Sequence, residues 1–230
     1  MTPYPSDSRQ VAALIDHTIL RPEATRNDVE RVCREALRYQ FASVCVNPVF
    51  ASLVAGILRG STVKTCSVVG FPLGASSMTT KTYEARTLVD LGAQELDMVI
   101  HVGALKAHED QAVAAEIRSV ADTSHAGKAL CKVIIETALL TEEEKERACR
   151  IARDSGADFV KTSTGFGTRG ATVDDVALMR KVLGPQIGVK ASGGIRTLDD
   201  LLKMVEAGAT RIGTSNGVGI LAEALAKFNA

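Results

Sequence analysis

Eight times along its 230 residues the chain passes from a short apolar run into a stretch with helical periodicity, with no linker or composition break. Strands are predicted at residues 16–20, 42–46, 63–69, 95–100, 129–135, 159–161, 187–190 and 210–213. Helices are predicted between and after them at 27–39, 48–58, 79–91, 105–123, 141–154, 172–183, 198–207 and 217–228, after a short leading helix at 7–14. Local signals agree. Pro48 suits a first helical turn, Thr141 with Glu144 reads as a capping box, and Gly92, Gly156 and Gly208 stand where helices should stop. Several strands are apolar on both faces, as parallel strands covered by helices should be. Eight such units fit a closed (β/α)8 TIM barrel, whose usual size is about 250 residues, as one domain spanning 1–230. An open doubly wound sheet fits the same alternation, and periodicity alone does not separate the two.

Positive and negative side chains balance at 27 each, so net charge suggests no nucleic-acid partner. No window approaches the roughly 20 apolar residues of a membrane span. The start is polar, without the pattern of a signal peptide. Cys33, Cys45, Cys66, Cys131 and Cys149 are odd in number and scattered, as reduced, buried thiols of a cytoplasmic protein would be. The four histidines form no metal-ligand pair, so no metal or other cofactor is expected. The sequence names no interface, and a homo-oligomer is left open.

In a barrel the active site lies at the carboxyl ends of the strands. Those ends carry Asp16 and Thr18, Cys45 and Asn47, the run from Ser67 to Gly70, Asp97, Glu136, Lys161, Lys190 and the turn from Gly213 to Ser215. Lys161 and Lys190 finish neighbouring runs, Asp158-Phe-Val-Lys-Thr-Ser-Thr-Gly and Ile187-Gly-Val-Lys-Ala-Ser-Gly-Gly. Adjacent parallel strands lie about 4.8 Å apart. Two ammonium groups that close disfavour each other's charge, so one lysine is expected to lose its proton more readily. A neutral amine attacks carbonyls, and the pair reads as a Schiff-base site. Lone strand-end lysines usually just reach into solvent; two in one register, each leading into a small-residue turn, argue otherwise.

Alternation places Lys132 inside the barrel, deeper than the other two lysines, where it needs an acid; Asp97 on the adjacent strand is the obvious one. An outward-facing Lys132 and a purely structural Asp97 ion pair remain alternatives. The turns bearing Gly193 and Gly194, and Gly213 and Ser215, offer backbone N–H groups to an anion, pointing to phosphate. Thr18, Cys45, Thr164 and Gly165 complete the candidate substrate contacts. Gly165-Phe-Gly-Thr-Arg-Gly170 matches a dinucleotide-binding spacing. It starts well past the strand end, however, and a loop closing over substrate suits it better.

The sequence resembles the deoxyribose-phosphate aldolase family over nearly its whole length. The resemblance is carried by Leu14-Ile-Asp-His-Thr-Ile-Leu20, Ser43-Val-Cys-Val-Asn-Pro48, Val69-Gly-Phe-Pro-Leu-Gly74, Glu95-Leu-Asp-Met-Val99 and Lys132-Val-Ile-Ile-Glu-Thr137, and above all by Lys161-Thr-Ser-Thr-Gly165 and Lys190-Ala-Ser-Gly-Gly-Ile-Arg196. It implies a class I aldolase that reversibly cleaves 2-deoxy-D-ribose 5-phosphate to acetaldehyde and D-glyceraldehyde 3-phosphate. By the same resemblance Lys161 would form the Schiff base, with Lys190 keeping it neutral. Asp97, Lys132 and a water would move protons. Gly165, Gly193, Gly194, Gly213 and Ser215 would hold the phosphate. Two departures stand out. Some members have lysine where this chain has Phe166, and some longer members end in a tyrosine that assists proton transfer. An isomerase or synthase on a phosphate-binding barrel, or a non-catalytic sugar-phosphate sensor, are the competing readings.

Overall fold

The computed structural model describes residues 4–228, and over that span the alternation closes on itself. The parallel strands β1 (Ile15–Ile19), β2 (Ser43–Val46), β3 (Lys64–Val69), β4 (Glu95–Val99), β5 (Leu130–Ile134), β6 (Phe159–Lys161), β7 (Gly188–Ser192) and β8 (Arg211–Thr214) follow one another around a barrel. β8 pairs back onto β1, with Asp16 opposite Gly213, which rules out the open sheet. The helices α1 (Ser8–Ala13), α2 (Arg26–Tyr39), α3 (Ala51–Leu58), α4 (Met78–Asp90), α5 (Val102–Lys106), α6 (Asp110–Ala126), α7 (Glu142–Asp154), α8 (Val173–Leu183), α9 (Leu198–Glu206) and α10 (Gly217–Phe228) complete the described residues. The leading helix α1 packs against α10.

Strand parity decides what faces where. Outward positions Val44, Leu96, Met98, Val133, Val160, Val189 and Ile212 are wholly buried in the apolar layer beneath the helices. Each such side chain stabilises the fold by roughly 1.5–3 kcal/mol when fully covered. The intervening inward positions hold Asp16, Cys45, Cys66, Glu95, Asp97, Lys132, Lys161 and Lys190, all buried. Most TIM barrels fill that space with branched aliphatic side chains. This one fills it largely with charge.

Local sequence sets the helix ends. Thr141 Oγ1 accepts from the Glu144 N–H at 3.2 Å and the Glu144 carboxylate accepts from the Thr141 N–H at 2.9 Å, closing the predicted capping box. Pro48 opens a single 3-10 turn, Pro48–Phe50, that runs into α3. One expectation fails: the long helix predicted at 105–123 is two helices, α5 and α6, with His108 at φ 60° between them. Arg147 of α7 explains the break. Its guanidinium donates to the Leu105 carbonyl at 2.6 Å and to His108 Nδ1 at 2.8 Å, supplying a partner that a continuing helix would not need. Nothing in the local pattern of 105–123 announces an arginine from another helix.

Candidate active site

Asp97 is the hub of the barrel interior. Lys161 Nζ and Lys190 Nζ both donate to its Oδ2, at 2.8 and 2.7 Å, and Lys132 Nζ donates to Oδ1 at 2.8 Å. The strand registers create this meeting, setting Asp97 beside Lys132 and Lys161 beside Lys190. Lys190 Nζ also lies 2.5 Å from Asp16 Oδ2, and Lys132 Nζ lies 2.7 Å from Glu95 Oε2. Arg211 closes the network from below, 2.6 Å from Asp16 and 2.9 Å from Glu95. Among the described residues, Lys132, Lys161, Lys190 and Arg211 thus face only Asp16, Glu95 and Asp97, an excess of one basic group over acidic ones.

Burial works against every charge here, and the partners outweigh it. Burial would raise the Asp97 carboxyl, yet Lys132, Lys161 and Lys190 hold it well below the usual carboxylate range. Asp16 is likewise held down by Lys190, Arg211 and Lys132 against its burial. Burial would lower Lys190, yet Asp16 and Asp97 push it well above the ordinary lysine value; Lys132 is raised in the same way, chiefly by Asp97. Mutual repulsion of strand-end lysines therefore does not discharge Lys190. Two ammonium groups alone would favour loss of a proton from one of them; the carboxylates between them favour the charged form of Lys190.

Above the network opens a cleft of about 500 Å³. Lys161, 3% exposed, lines it, whereas Lys132 and Lys190 lie beneath at 0%. Lys161 is thus the one lysine of this trio that lines the cleft. Thr18, Thr164, Gly165, Gly193, Gly194, Gly213 and Ser215 line the same cleft, as their strand-end positions predicted. Gly193 and Gly194 have φ of 88° and 81°, backbone that glycine adopts without strain. Gly213 is small for another reason: a Cβ there would run into the Ser192 hydroxyl and crowd Lys190. The β7 and β8 turns are tied together, Thr214 Oγ1 donating to the Ile195 carbonyl at 2.8 Å and Asn216 Nδ2 to the Arg196 carbonyl at 2.7 Å. The result is a rim of backbone and hydroxyl groups at the start of α10, an arrangement suited to an anion.

Cys45 is placed differently from the expectation. It is wholly buried and absent from the cleft lining, because its inward parity packs it against Leu20, Cys66 and Val68 under the mouth. The loop after β6 is anchored at its far end, where the Ala171 N–H donates to the Ser192 and Gly193 carbonyls, both at 3.1 Å. A Cβ on Gly170 would collide with the Gly193 backbone, so these two loops touch directly.

Several residues had no individual role assigned from the sequence, although Glu136 stood among the strand ends and Ser192 in the turn after strand seven. Ser192 lines the cleft with a buried hydroxyl that has no hydrogen-bond partner among the described residues. Arg21, Arg31 and Arg196 also line the cleft. Glu136, at φ 54°, accepts from the Thr164 N–H at 3.2 Å and from the Thr164 hydroxyl, holding the turn that follows Lys161. Arg211 and Glu95 were findable in principle, since parity puts Arg211 on the face of Gly213 and Glu95 on that of Asp97.

A family model described as DeoC/LacD family aldolase matches residues 10–227. The chain is 58% identical over 211 residues to the deoxyribose-phosphate aldolase of Bacillus subtilis (strain 168), covering 92% of this chain and 94% of that one. It is 55% identical over 219 residues to the deoxyribose-phosphate aldolase of Geobacillus sp. (strain WCH70), covering 95% and 98%. Its fold matches the tetrameric deoxyribose phosphate aldolase from Aeropyrum pernix with a TM-score of 0.90 at 36% identity, covering 99% of this chain and 95% of that one. A buried lysine–carboxylate network under a lysine-lined cleft, and likeness over nearly the full length, lead to one assignment: the chain belongs to the DeoC/LacD family of aldolases.

Proposed function

We propose that this protein is a class I aldolase that cleaves 2-deoxy-D-ribose 5-phosphate reversibly to acetaldehyde and D-glyceraldehyde 3-phosphate, through an imine on Lys161. The observation that carries this reading is the position of Lys161, in the cleft and on the same Asp97 oxygen as Lys190. The network holds one cation too many, and Lys161 is its cation at the cleft. In its neutral form that amine can attack a carbonyl.

In the cleavage direction Lys161 Nζ adds to the C1 aldehyde of the open-chain sugar, and water leaves to give a protonated imine. That cation draws in the electrons of the C2–C3 bond as a base takes the C3 hydroxyl proton. Glyceraldehyde 3-phosphate departs, the enamine is protonated at C2, and water hydrolyses the imine to acetaldehyde and free Lys161. Asp97, touching Lys161, Lys190 and Lys132, is the proton relay of this scheme, working with water. Lys190 supplies a fixed positive charge beside the imine nitrogen. Gly165, Gly193, Gly194, Gly213 and Ser215 take the phosphate, with Thr18 and Thr164 beside them and Ser192 added as a partner for a substrate hydroxyl. Cys45 supports the site from below.

Borohydride reduction in the presence of acetaldehyde, with EDTA, followed by peptide mass mapping, tests the scheme. The expected product is a two-carbon adduct on Lys161, absent from a Lys161→Met variant. No adduct on folded protein would transfer weight to an isomerase or a sensor; an adduct on Lys190 or Lys132 would keep the aldolase and reverse the lysines' roles.

A further inference from the structure

Three arginines line the cleft, and their surroundings differ. Arg21 is already held by acids, with Glu23 3.2 Å from one terminal nitrogen and Asp28 2.8 Å from the other. Arg196 belongs to the turn after β7 itself. Arg31 stands on α2, the helix that follows β1, and β1 pairs with β8. One of its terminal nitrogens donates to Glu35 Oε1, a turn further along α2, at 2.8 Å; its other donors meet no partner among the described residues. Glu35 is tethered in its turn. Its Oε2 accepts from His17 Nε2 at 2.7 Å, and His17 is only 2% exposed.

His17 fixes where this chain of contacts lies. Its ring packs on Phe41 with centroids 5.1 Å apart. A Cβ on Gly217 would come within 2.9 Å of His17 Nδ1, so the first residue of α10 sits directly against the ring. The turn from Gly213 to Ser215, part of the cleft lining, leads into that same helix. Nδ1 is buried without a hydrogen-bond partner among the described residues, which leaves Glu35 as the polar tether of the ring. Burial pushes His17 below the ordinary histidine range against the pull of Glu35. Near neutral pH the uncharged ring therefore donates its Nε2–H, and the charge of Glu35 is answered by Arg31. We propose that Arg31 is a further phosphate-binding residue, on the α2 side of the cleft, and that His17, acting through Glu35, is the positioning residue that holds it there. This inference rests on the aldolase reading above, which supplies the phosphate. The backbone and hydroxyl donors of the glycine turns carry no formal charge; a guanidinium adds one, in a planar form that suits two phosphate oxygens. Ordering a long side chain costs rotamer freedom, and a tether to a buried ring removes much of that cost before substrate arrives.

The test compares kcat/KM for 2-deoxyribose 5-phosphate with that for 2-deoxyribose, which lacks the phosphate. It uses wild type, Arg31→Met, His17→Phe and the double variant. Methionine keeps much of the length of arginine; phenylalanine keeps a ring against Phe41 and removes the donor to Glu35. Arg31→Met is expected to lower the ratio of the two values by roughly tenfold or more, the worth of one charge-assisted hydrogen bond. His17→Phe is expected to lower the ratio when Arg31 is present and to lower it no further in the Arg31→Met background. A second measurement needs neither turnover nor a buried substitution. The rise in Tm on adding inorganic phosphate at fixed ionic strength is expected to be smaller for Arg31→Met than for wild type. An unaltered ratio in Arg31→Met overturns the proposal, and so does an unaltered rise in Tm. A loss in His17→Phe that is the same with and without Arg31 overturns the positioning role. Folded wild type that cleaves neither sugar would sink the aldolase reading; a Tm difference persisting there would still support Arg31 as a phosphate-binding residue, and its absence would overturn that too.

Discussion

Asp97 shows what one side chain can organise. Its two oxygens hold three ammonium groups inside a barrel, each within 2.8 Å, and among the described residues no other carboxylate touches Lys161. Taking away a partner from a buried ion pair costs about 3–5 kcal/mol, because the charges left behind stay desolvated. Asp97→Asn is therefore expected to lower the unfolding free energy by about that amount in urea titrations, and to slow imine formation on Lys161 as the relay is lost. A variant as stable as wild type would mean that water or Asp16 replaces the carboxylate. Much of this cluster was legible beforehand. Lys161 and Lys190 declared themselves by ending adjacent strands, and alternation pointed Lys132 at Asp97. Parity says that a residue faces inward but not which inward residue it meets across the barrel. The grip of Arg211 on Glu95, 116 positions away in sequence, was invisible for that reason. The same gap hid the carboxylates that favour the charged form of Lys190, so the strand ends said only that one of the two lysines would lose its proton more readily.

At the level of elements, strands and helices were readable because each carries its own periodicity and its own stop signals, whereas the segments between them obey distant partners. The split between α5 and α6 follows Arg147 of α7, and the turn after β6 follows Glu136 at the end of β5. Glu136 is a buried carboxylate in left-handed backbone, a conformation that costs a non-glycine residue about 1–2 kcal/mol. Its compensation is a clamp: it binds the N–H and hydroxyl of Thr164, whose Oγ1 accepts in turn from the Phe166 N–H at 3.1 Å. The clamped residues include Gly165 and Phe166 of the cleft rim, so the effect of loosening them should appear in phosphate binding more than in carbonyl chemistry. Glu136→Gln keeps the shape but not the charge-assisted bonds, each worth about 1.5–3 kcal/mol. It is expected to raise KM for 2-deoxyribose 5-phosphate by roughly tenfold or more while acetaldehyde is still trapped on Lys161, since one such bond corresponds to at least that factor. Equal loss of both readouts would mean that Glu136 supports the barrel as a whole rather than the rim.

For the whole molecule, the polar interior ties folding to proton balance, and the sign can be worked out group by group. Asp16 and Asp97 are held below the carboxylate range in the folded state. Their contribution is complete above the unfolded carboxylate value of about 3.9 and is lost as pH falls below it toward the folded values. Lys132 and Lys190 are held above the lysine range. Their contribution is complete below the unfolded lysine value of about 10.4 and is lost as pH rises past it toward the folded values. Stability is therefore expected to have a broad plateau between those limits, falling on both flanks, with the lysine and carboxylate halves of one network responsible for opposite sides. Urea midpoints measured from acid to alkaline pH read both flanks directly. Asp97→Asn should flatten the acid flank, because a group that no longer titrates cannot take up a proton on unfolding, and it should leave a lower plateau. An acid flank unchanged in that variant would assign the proton uptake to surface carboxylates, and the barrel interior would then be bystander to the acid transition rather than its cause.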